Sequence, residues 1–202
     1  MRVWIVNPFD NLPTEGFRPQ RFWLMAEAFA AAGHEVTLVT SDWSHSKKAP
    51  RGPRGARTLP HDPEGRACTP LFTVHYLPTP PYYKNISLRR FFSHWVLAHR
   101  FAKTLKLANS QTPELIIVSS PTLSLVRAVR KSGIRYIVDV MDDWPGTFER
   151  ILPKWMLYPL RVIAKKNYLG AAAISVVAKR YEEVVRSYGY TGEVKEFYHG
   201  IK

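Results

Sequence analysis

The sequence of 202 residues holds a single cysteine, Cys68, and no long run of apolar residues. One thiol excludes an intrachain disulfide framework and any zinc site built from several cysteines. No segment approaches the roughly 18 to 20 consecutive apolar residues that cross a bilayer. The apolar stretch within Met1–Asp10 is too short for a signal peptide and has no small-residue cleavage site. We therefore expect a cytosolic protein whose contact with any membrane is peripheral.

Acidic residues are scarce relative to basic ones. The chain has 16 Asp and Glu against 29 Lys and Arg, which gives a formal net charge of +13 and a pI near 10.0. Such an excess favours an anionic partner, namely nucleic acid, a phosphorylated ligand or an acidic membrane surface. With 46% hydrophobic residues the composition is otherwise that of a globular protein, and the length predicts one domain.

Short apolar runs alternate with segments of helical periodicity along most of the chain. Strands are predicted at about 3–6, 36–40, 72–77, 115–118, 136–140, 173–177 and 194–198. Helices are predicted at about 18–32, 88–108, 121–131, 147–151, 154–168 and 179–188. Residues 44–70 have no sustained periodicity and are predicted to form a long loop. The alternation predicts an α/β fold, a three-layer αβα sandwich with a mostly parallel twisted sheet and ligands beyond the carboxyl ends of its strands.

The loop after the first predicted strand, residues 7–16, has neither GxGxxG nor GxxxxGK[ST], the phosphate-binding patterns of dinucleotide-binding and P-loop proteins. Gly16 is followed by Arg18 and Arg21, near the start of the first predicted helix. A helix N-terminus beside a guanidinium can hold an anion. The alternative is an ordinary loop with solvated arginines, and both interpretations stay open at this point.

Residues 82–106 combine six basic residues with aromatic ones and contain no acid. This composition is typical of a helix in a membrane interface, with aromatic rings at the headgroup boundary and cations near anionic lipid. The candidate membrane-binding residues are Arg89, Arg90, Phe91, Phe92, Trp95, Arg100 and Lys103. Helical spacing places Phe91, Trp95 and Leu105 on one face. The alternative is therefore a core helix that packs this aromatic stripe on the sheet. A second acid-free stretch, Arg150–Arg180, adds to the predicted basic surface.

Three carboxylates, Asp139, Asp142 and Asp143, lie at or just past the carboxyl end of a predicted strand. Side chains there could act as a base, orient a substrate hydroxyl or bind a metal. Because no histidine stands at ligand spacing, we expect no metal site. The alternative is that Asp142 or Asp143 caps the following helix. A serine hydrolase is not expected, since the sequence has no GxSxG motif.

Three segments carry a family resemblance: Gly16–Val39, which contains Gly33-His34-Glu35-Val36, then Val138–Pro145 with the sequence VDVMDDWP, and Ala172–Ile201. In this order they resemble the N-terminal domain of a family 4 glycosyltransferase of the GT-B fold. The resemblance is closest to bacterial members that extend surface polysaccharides. It departs from the family at Ala178 and His199, where the family usually has serine and asparagine.

The resemblance implies that a sugar is transferred from a nucleotide-sugar to an acceptor, with no metal or other cofactor. It implies that Asp143, and less directly Asp142, orients or deprotonates the acceptor hydroxyl. Gly16 would approach the donor phosphates, and Arg18 and Arg21 would steady phosphate or acceptor charge. The acceptor pocket would be shaped by Trp144 and Pro145.

The resemblance also implies a place for this chain in a larger enzyme. Residues 1–202 would form one Rossmann-like, acceptor-binding domain, and about 198–202 would be the interdomain linker. A donor-binding C-terminal domain is expected after Lys202. The expected acceptor is a lipid-linked saccharide of cell-surface polysaccharide synthesis, on the inner face of the cell membrane. The alternative function is a non-catalytic basic α/β module that binds an anionic membrane surface or nucleic acid.

Overall fold

The computed structural model describes residues 1–51, 58–60, 72–149 and 152–197. The strands are β1 (Arg2–Val6), β2 (Glu35–Ser41), β3 (Thr58–Pro60), β4 (Thr73–Leu77), β5 (Leu115–Ser120), β6 (Tyr136–Val140), β7 (Ala173–Val176) and β8 (Val194–Glu196). The α-helices are α1 (Arg21–Ala31), α2 (Leu88–Leu107), α3 (Leu123–Lys131), α4 (Lys154–Leu169) and α5 (Lys179–Ser187). Short 3-10 helices lie at Pro13–Glu15, Asn109–Gln111 and Gly146–Phe148. Cys68, Arg150 and the predicted linker 198–202, with His199, lie outside the described residues.

The strands form a sheet in the order β3-β4-β2-β1-β5-β6-β7-β8. Strand β1 pairs in parallel with β2, β2 with β4, β6 with β7, and β7 with β8. Strand β3 runs antiparallel to β4. The predicted α/β fold with a mostly parallel sheet flanked by helices is confirmed. Sequence periodicity missed β3, which lies inside the stretch that we predicted to be a loop.

The chain forms two compact units, Met1–Ile116 and Ile117–Lys202. In the first unit, Val3 of β1 pairs with Val36 of β2, and α1 packs on β2. Helix α1 buries Phe22 and ends before Gly33, whose φ of +81° favours a residue without Cβ. Ser87 begins α2, because its hydroxyl oxygen accepts the Arg90 N–H at 3.2 Å.

In the second unit, Val138 of β6 pairs with Ile174 of β7. Asn167 of α4 is fully buried, and its side-chain amide donates to the carbonyl oxygen of Leu123 at 3.1 Å. The carbonyl oxygen of Asn167 accepts the Tyr136 hydroxyl at 2.8 Å. These two hydrogen bonds fix α4 against the neighbouring elements of the unit. Among the described residues, no helix combines the length and apolar content that a bilayer crossing requires.

Candidate functional site

Asp142 and Asp143 follow β6, at the edge where parallel strands end and α/β proteins bind ligands. Asp142 is exposed, whereas Asp143 is half-buried. Asp139, the third predicted carboxylate, differs from both. It is fully buried within β6 and accepts a hydrogen bond from the hydroxyl of Ser175 on β7. Asp139 therefore belongs to the packing of the sheet, and the candidate acid–base group is Asp143.

The Asp143 carboxylate accepts a hydrogen bond from the backbone N–H of Gly146. The backbone oxygen of Asp143 accepts the Thr147 N–H at 2.7 Å and the Thr147 hydroxyl at 2.6 Å. The carboxylate thus meets the first N–H of the 3-10 helix that begins at Gly146, although the N-cap residue of that helix is Pro145 and the capping alternative does not hold for it. It does not hold for α4 either, whose N-cap is Pro153. These bonds fix the orientation of Asp143 and leave lone pairs of its carboxylate for another donor.

Burial raises the pKa of the Asp143 carboxyl above its ordinary value, and the negative charge of Glu149 raises this pKa further. The Gly146 N–H and the cations Arg161 and Arg180 act in the opposite direction but do not cancel the rise. Arg161 also forms an ion pair with Glu149. A carboxylate with a raised pKa is a better proton acceptor than an exposed one, which is the property that a general base requires.

Trp144 and Pro145 lie in the core of their unit. The peptide bond between them is cis, and both side chains are buried. Trp144 packs edge-to-face on Phe148, with 4.5 Å between ring centroids, and both pack with Leu157. The predicted role of Trp144 and Pro145 in the acceptor pocket stays a prediction. Their observed role is to anchor the chain in the core directly after Asp143.

The loop of residues 7–16 contacts the start of α1 through the carboxylate of Asp10. Asp10 accepts the Phe22 N–H at 3.0 Å, so an acid of the protein already occupies part of this helix N-terminus. Gly16 lies after the 3-10 helix with a φ of +82°, and it is exposed, as is Arg18. Arg21 is the first residue of α1 and is partly buried. Phosphate binding by Gly16, Arg18 and Arg21 stays a prediction.

Arg51 holds this loop in place, and sequence reasoning did not single it out. Its side chain is 1% exposed. The guanidinium donates to the carbonyl oxygens of Pro8 at 2.6 Å, Asp10 at 2.5 Å and Ser41 at 2.9 Å, and to the Thr40 hydroxyl at 3.1 Å and the Glu15 carboxylate at 3.3 Å. In the sequence, Arg51 is only one more basic residue of the 44–70 stretch. Its contacts are not evident there, because all five acceptors lie at least ten residues from Arg51.

Helix α2 places its aromatic residues differently from the predicted stripe. Its buried residues are Ser93, His94, Leu97, Ala98, Phe101 and Leu105. Phe91, Phe92 and Trp95 are instead 36%, 54% and 60% exposed. The core-helix alternative is therefore wrong for these three rings, and the predicted common face of Phe91, Trp95 and Leu105 is wrong as well. The helix turns His94, and not Trp95, toward the core.

A metal site is not apparent in the part of the chain that the structure describes. Nowhere in residues 1–51, 58–60, 72–149 and 152–197 do three or more His, Cys, Asp or Glu side chains gather as a metal-binding group.

Residues 19–194 match the family model described as a glycosyl transferase 4-like domain. The chain belongs to this family. The match covers most of the sequence, including helix α1 and the Asp143 turn, and it confirms the prediction of a glycosyltransferase domain. No curated protein sequence matches the chain.

Solved glycosyltransferases share the fold of this glycosyl transferase 4-like chain. Sucrose-phosphate synthase from Thermosynechococcus elongatus superposes with a TM-score of 0.65 at 10% identity, over 100% of this chain and 48% of that one. Arabidopsis thaliana UGT89C1, complexed with UDP-L-rhamnose, superposes with a TM-score of 0.53 at 13% identity, over 96% of this chain and 51% of that one. A ugt transferase from Siraitia grosvenorii in complex with UDP superposes with a TM-score of 0.52 at 13% identity, over 96% of this chain and 50% of that one. The chain thus spans about half the length of these structures, and it has the fold of the N-terminal half of a GT-B enzyme.

Proposed function

We propose that this chain is the acceptor-binding half of an enzyme that transfers a sugar from a nucleotide-sugar to a saccharide acceptor, with Asp143 as the base. The observation that carries the proposal is the Asp143 carboxylate itself. It is half-buried just past β6, its pKa is raised by burial, and the Gly146 N–H fixes its orientation. Membership of the glycosyl transferase 4-like family supplies the reaction class.

In the proposed reaction, the acceptor hydroxyl gives its proton to Asp143 while its oxygen forms a bond to the anomeric carbon of the donor sugar. The bond from that carbon to the nucleotide diphosphate breaks, and the diphosphate leaves with the bonding electrons. Asp142, which is exposed beside Asp143, would help to orient the acceptor. Trp144 and Pro145 would shape the pocket that holds it.

The donor would bind mainly outside this chain. The matched structures are about twice as long, and two of them hold UDP or a UDP-sugar. We therefore propose that a donor-binding domain follows Lys202 in the natural protein and that 1–202 act as one acceptor-binding domain. Gly16, Arg18 and Arg21 would then approach the donor phosphates, and the transfer would need no metal.

The test is Asp143→Asn in the natural full-length protein, with transfer measured from radiolabelled nucleotide-sugars. We expect kcat to fall by about 10²- to 10⁴-fold, the usual contribution of a general base. The melting temperature should not fall, because asparagine keeps an oxygen for the Gly146 N–H and removes a charge from beside Glu149. Asp142→Asn is the matched control, and we expect it to lower kcat by less than tenfold. Wild-type turnover in Asp143→Asn would leave Asp143 only the local role of accepting the Gly146 N–H.

We propose further that the acceptor is lipid-linked and that α2 docks the chain on the inner face of the cell membrane, in cell-surface polysaccharide synthesis. Phe92 and Trp95 stack with 6.0 Å between ring centroids on the exposed side of α2. Exposed rings on an acid-free basic helix are the two features that bind an anionic lipid surface. Arg89, Arg100 and Lys103 are exposed cations of this helix.

Vesicle flotation tests the membrane proposal. Arg89→Gln with Lys103→Gln should weaken binding to anionic vesicles about 30-fold, since each of the two cations near such a surface contributes about 1 kcal/mol. Arg90 is left intact because it also contacts Asn85 and the Tyr82 ring. The charge-matched control is Arg127→Gln with Lys131→Gln, which removes two exposed cations of α3. Equal loss in the two double variants would contradict docking through α2. Tight, salt-sensitive DNA or RNA binding without vesicle preference would favour the non-catalytic module instead.

A further inference from the structure

Four rings of the first unit meet beyond the carboxyl ends of its strands. Phe9 follows β1, His45 follows β2, Tyr82 follows β4, and His94 comes from α2. We call these four residues the ring cluster. None of them belongs to the predicted catalytic or phosphate-binding residues. Their position is one at which α/β folds bind ligands.

The rings contact one another from several directions. Phe9 lies edge-on to His45, with 5.4 Å between centroids, and edge-on to His94 at 5.3 Å. Tyr82 lies edge-on to His94 at 6.1 Å, and its hydroxyl is 2.7 Å from Nδ1 of His45. Tyr82 and His94 are buried, whereas Phe9 and His45 are partly exposed. The cluster therefore has a buried base and an accessible side.

Two cations lie over the ring cluster. Nζ of Lys48 is 5.0 Å and Cζ of Arg90 is 5.9 Å from the centroid of the Tyr82 ring. Both side chains also bond to Asn85: Lys48 donates to its Oδ1 at 2.7 Å, and Arg90 to its carbonyl oxygen at 2.6 Å. Both cations are partly exposed. They therefore hold positive charge on the accessible side of the cluster.

The backbone at Lys48 is also unusual. Its φ of +52° lies in the left-handed region that favours glycine. The turn is closed by hydrogen bonds from the Lys48 N–H to the Ser44 oxygen at 3.0 Å and from the Ser44 N–H to the Ala49 oxygen at 2.8 Å. Backbone strain of this kind is concentrated at functional sites. Here its effect is to bring the ammonium group of Lys48 over Tyr82.

The local charge favours an anion. Burial lowers the pKa of His45 to about 4 and that of His94 to about 3, so both rings are neutral at pH 7. The charged groups that act on His45 are Lys48, Arg90 and Arg51, all cations. Aromatic clusters also bind cationic ligands. Here, however, the protein's own cations Lys48 and Arg90 already lie over the Tyr82 ring. A ligand at this place has to offset positive charge.

We propose that the ring cluster, with Lys48 and Arg90, binds the phosphate group of a phosphate-bearing sugar acceptor. The inference rests on the proposed function, in which this chain binds the acceptor. Lys48 and Arg90 would bind the phosphate through charge-assisted hydrogen bonds. The exposed edges of Phe9 and His45 would contact the apolar face of the sugar.

The experiment is a calorimetric titration of the full 202-residue chain with pyrophosphate. Lys48→Gln and Arg90→Gln should each weaken binding by roughly tenfold, as expected when one hydrogen bond to a charged group is lost. Lys106→Gln is the matched control, because it removes one exposed cation about 24 Å farther along α2. Bound pyrophosphate should also raise the pKa of His45, which the NMR signal of its imidazole reports. Equal affinities in all three variants, or an unshifted His45, would overturn the proposal.

Two further ligands separate the possible sources of the phosphate group. UDP should bind the chain no more than tenfold tighter than pyrophosphate, and stronger UDP binding through Lys48 and Arg90 would assign the site to the donor. Lys48→Gln should leave binding to anionic phosphatidylglycerol vesicles unchanged. If it abolishes vesicle binding but not pyrophosphate binding, the site holds lipid headgroups and the proposal fails. A failure in these assays leaves the Asp143→Asn result intact, so the two proposals fail separately.

Discussion

The two units place their polar residues beyond the ends of strands in the same way, yet burial has opposite consequences in them. In the first unit, burial lowers the pKa of His45 and His94, so bases become neutral. In the second unit, burial raises the pKa of Asp143, so an acid becomes a better base. Loss of solvent thus keeps the two histidines of the first unit uncharged, so that its positive charge comes from Lys48 and Arg90, and it gives the second unit a proton acceptor. We interpret the first as a binding surface and the second as the chemical site.

The units also differ in how their loops are held. In the first unit one buried guanidinium, Arg51, bonds to five groups from the segments after β1 and at the end of β2. In the second unit the turn at Asp143 is held by local hydrogen bonds from Gly146 and Thr147 and by the buried ring of Trp144. A loop held by long-range contacts and a turn held by local hydrogen bonds should respond differently to substitution.

The largest effect should come from Arg51→Ala. The change removes the guanidinium donor from the Glu15 carboxylate, which is 9% exposed and keeps the Leu12 N–H, and from three carbonyl oxygens. Breaking a buried ion pair from one side costs about 3–5 kcal/mol, and we expect the free energy of unfolding to fall by that amount in a denaturant titration. Arg18→Ala, at an exposed position of the same loop, should change it by less than about 0.5 kcal/mol. Similar values for the two variants would contradict the role of Arg51.

A smaller effect, on rate and not on stability, should come from Gly146→Ala. A Cβ at this position would overlap the Asp143 carboxylate. The carboxylate then has to rotate away, and we expect the proposed sugar transfer, measured as for Asp143→Asn, to slow by about tenfold, since misplacement of a base by an ångström costs up to about 10² in rate.

The control for Gly146→Ala is the same change in an Asp143→Asn background. If alanine acts through the carboxylate, it should have almost no further effect there. Independent, multiplicative losses would show that Gly146 matters for another reason.

A third effect should be the dependence of stability on pH. The unfolded pKa of histidine is 6.5, whereas His45 and His94 titrate near 4 and 3 in the folded chain. The unfolded state therefore binds more protons below pH 6.5, and the free energy of unfolding should fall as the pH drops from 6.5 toward 4. Asp143 contributes with the opposite sign: its raised pKa favours the folded state as the pH falls through that pKa.

Denaturant titrations at pH 7.5, 6.0 and 5.0 measure this dependence. Replacement of His45 and His94 by glutamine should flatten the decrease between pH 6.5 and 5.0. His99→Gln, at an exposed position of α2, should leave it as in the parent chain. A pH dependence that does not change in the double variant would place its origin in other groups.

The fold was largely predictable because each strand and helix carries its own periodicity. Strand β5 is buried along all six residues, and its uninterrupted apolar start is what a central parallel strand requires. Strand β3 was missed because its three residues lie inside the 44–70 stretch, which has no sustained periodicity. The buried face of α2 was also misjudged. Helical spacing groups residues into faces, but it does not indicate that His94 turns inward while Trp95 stays exposed.

The candidate site was predictable in part. Asp143 was identified because it follows a strand and lies in a segment with a family resemblance, two properties that are local in sequence. Arg51 and the ring cluster were not identified, since their partners are distant: Arg51 bonds to Pro8, 43 residues away, and His45 to Tyr82, 37 residues away. Contacts of that range follow from the order of the strands, which a single sequence does not supply.

The lengths of the two edge strands bear on self-association. Strands β3 and β8 are each three residues long and flank the sheet. Pro60 in β3 has no N–H to offer a further strand, and Lys195 and Glu196 expose charge on β8. Short edges with proline or charge resist the addition of a strand from another molecule. A neighbouring copy of the chain therefore gains little by extending this sheet, and the molecule can keep its aromatic and basic surfaces without aggregating along its β edges.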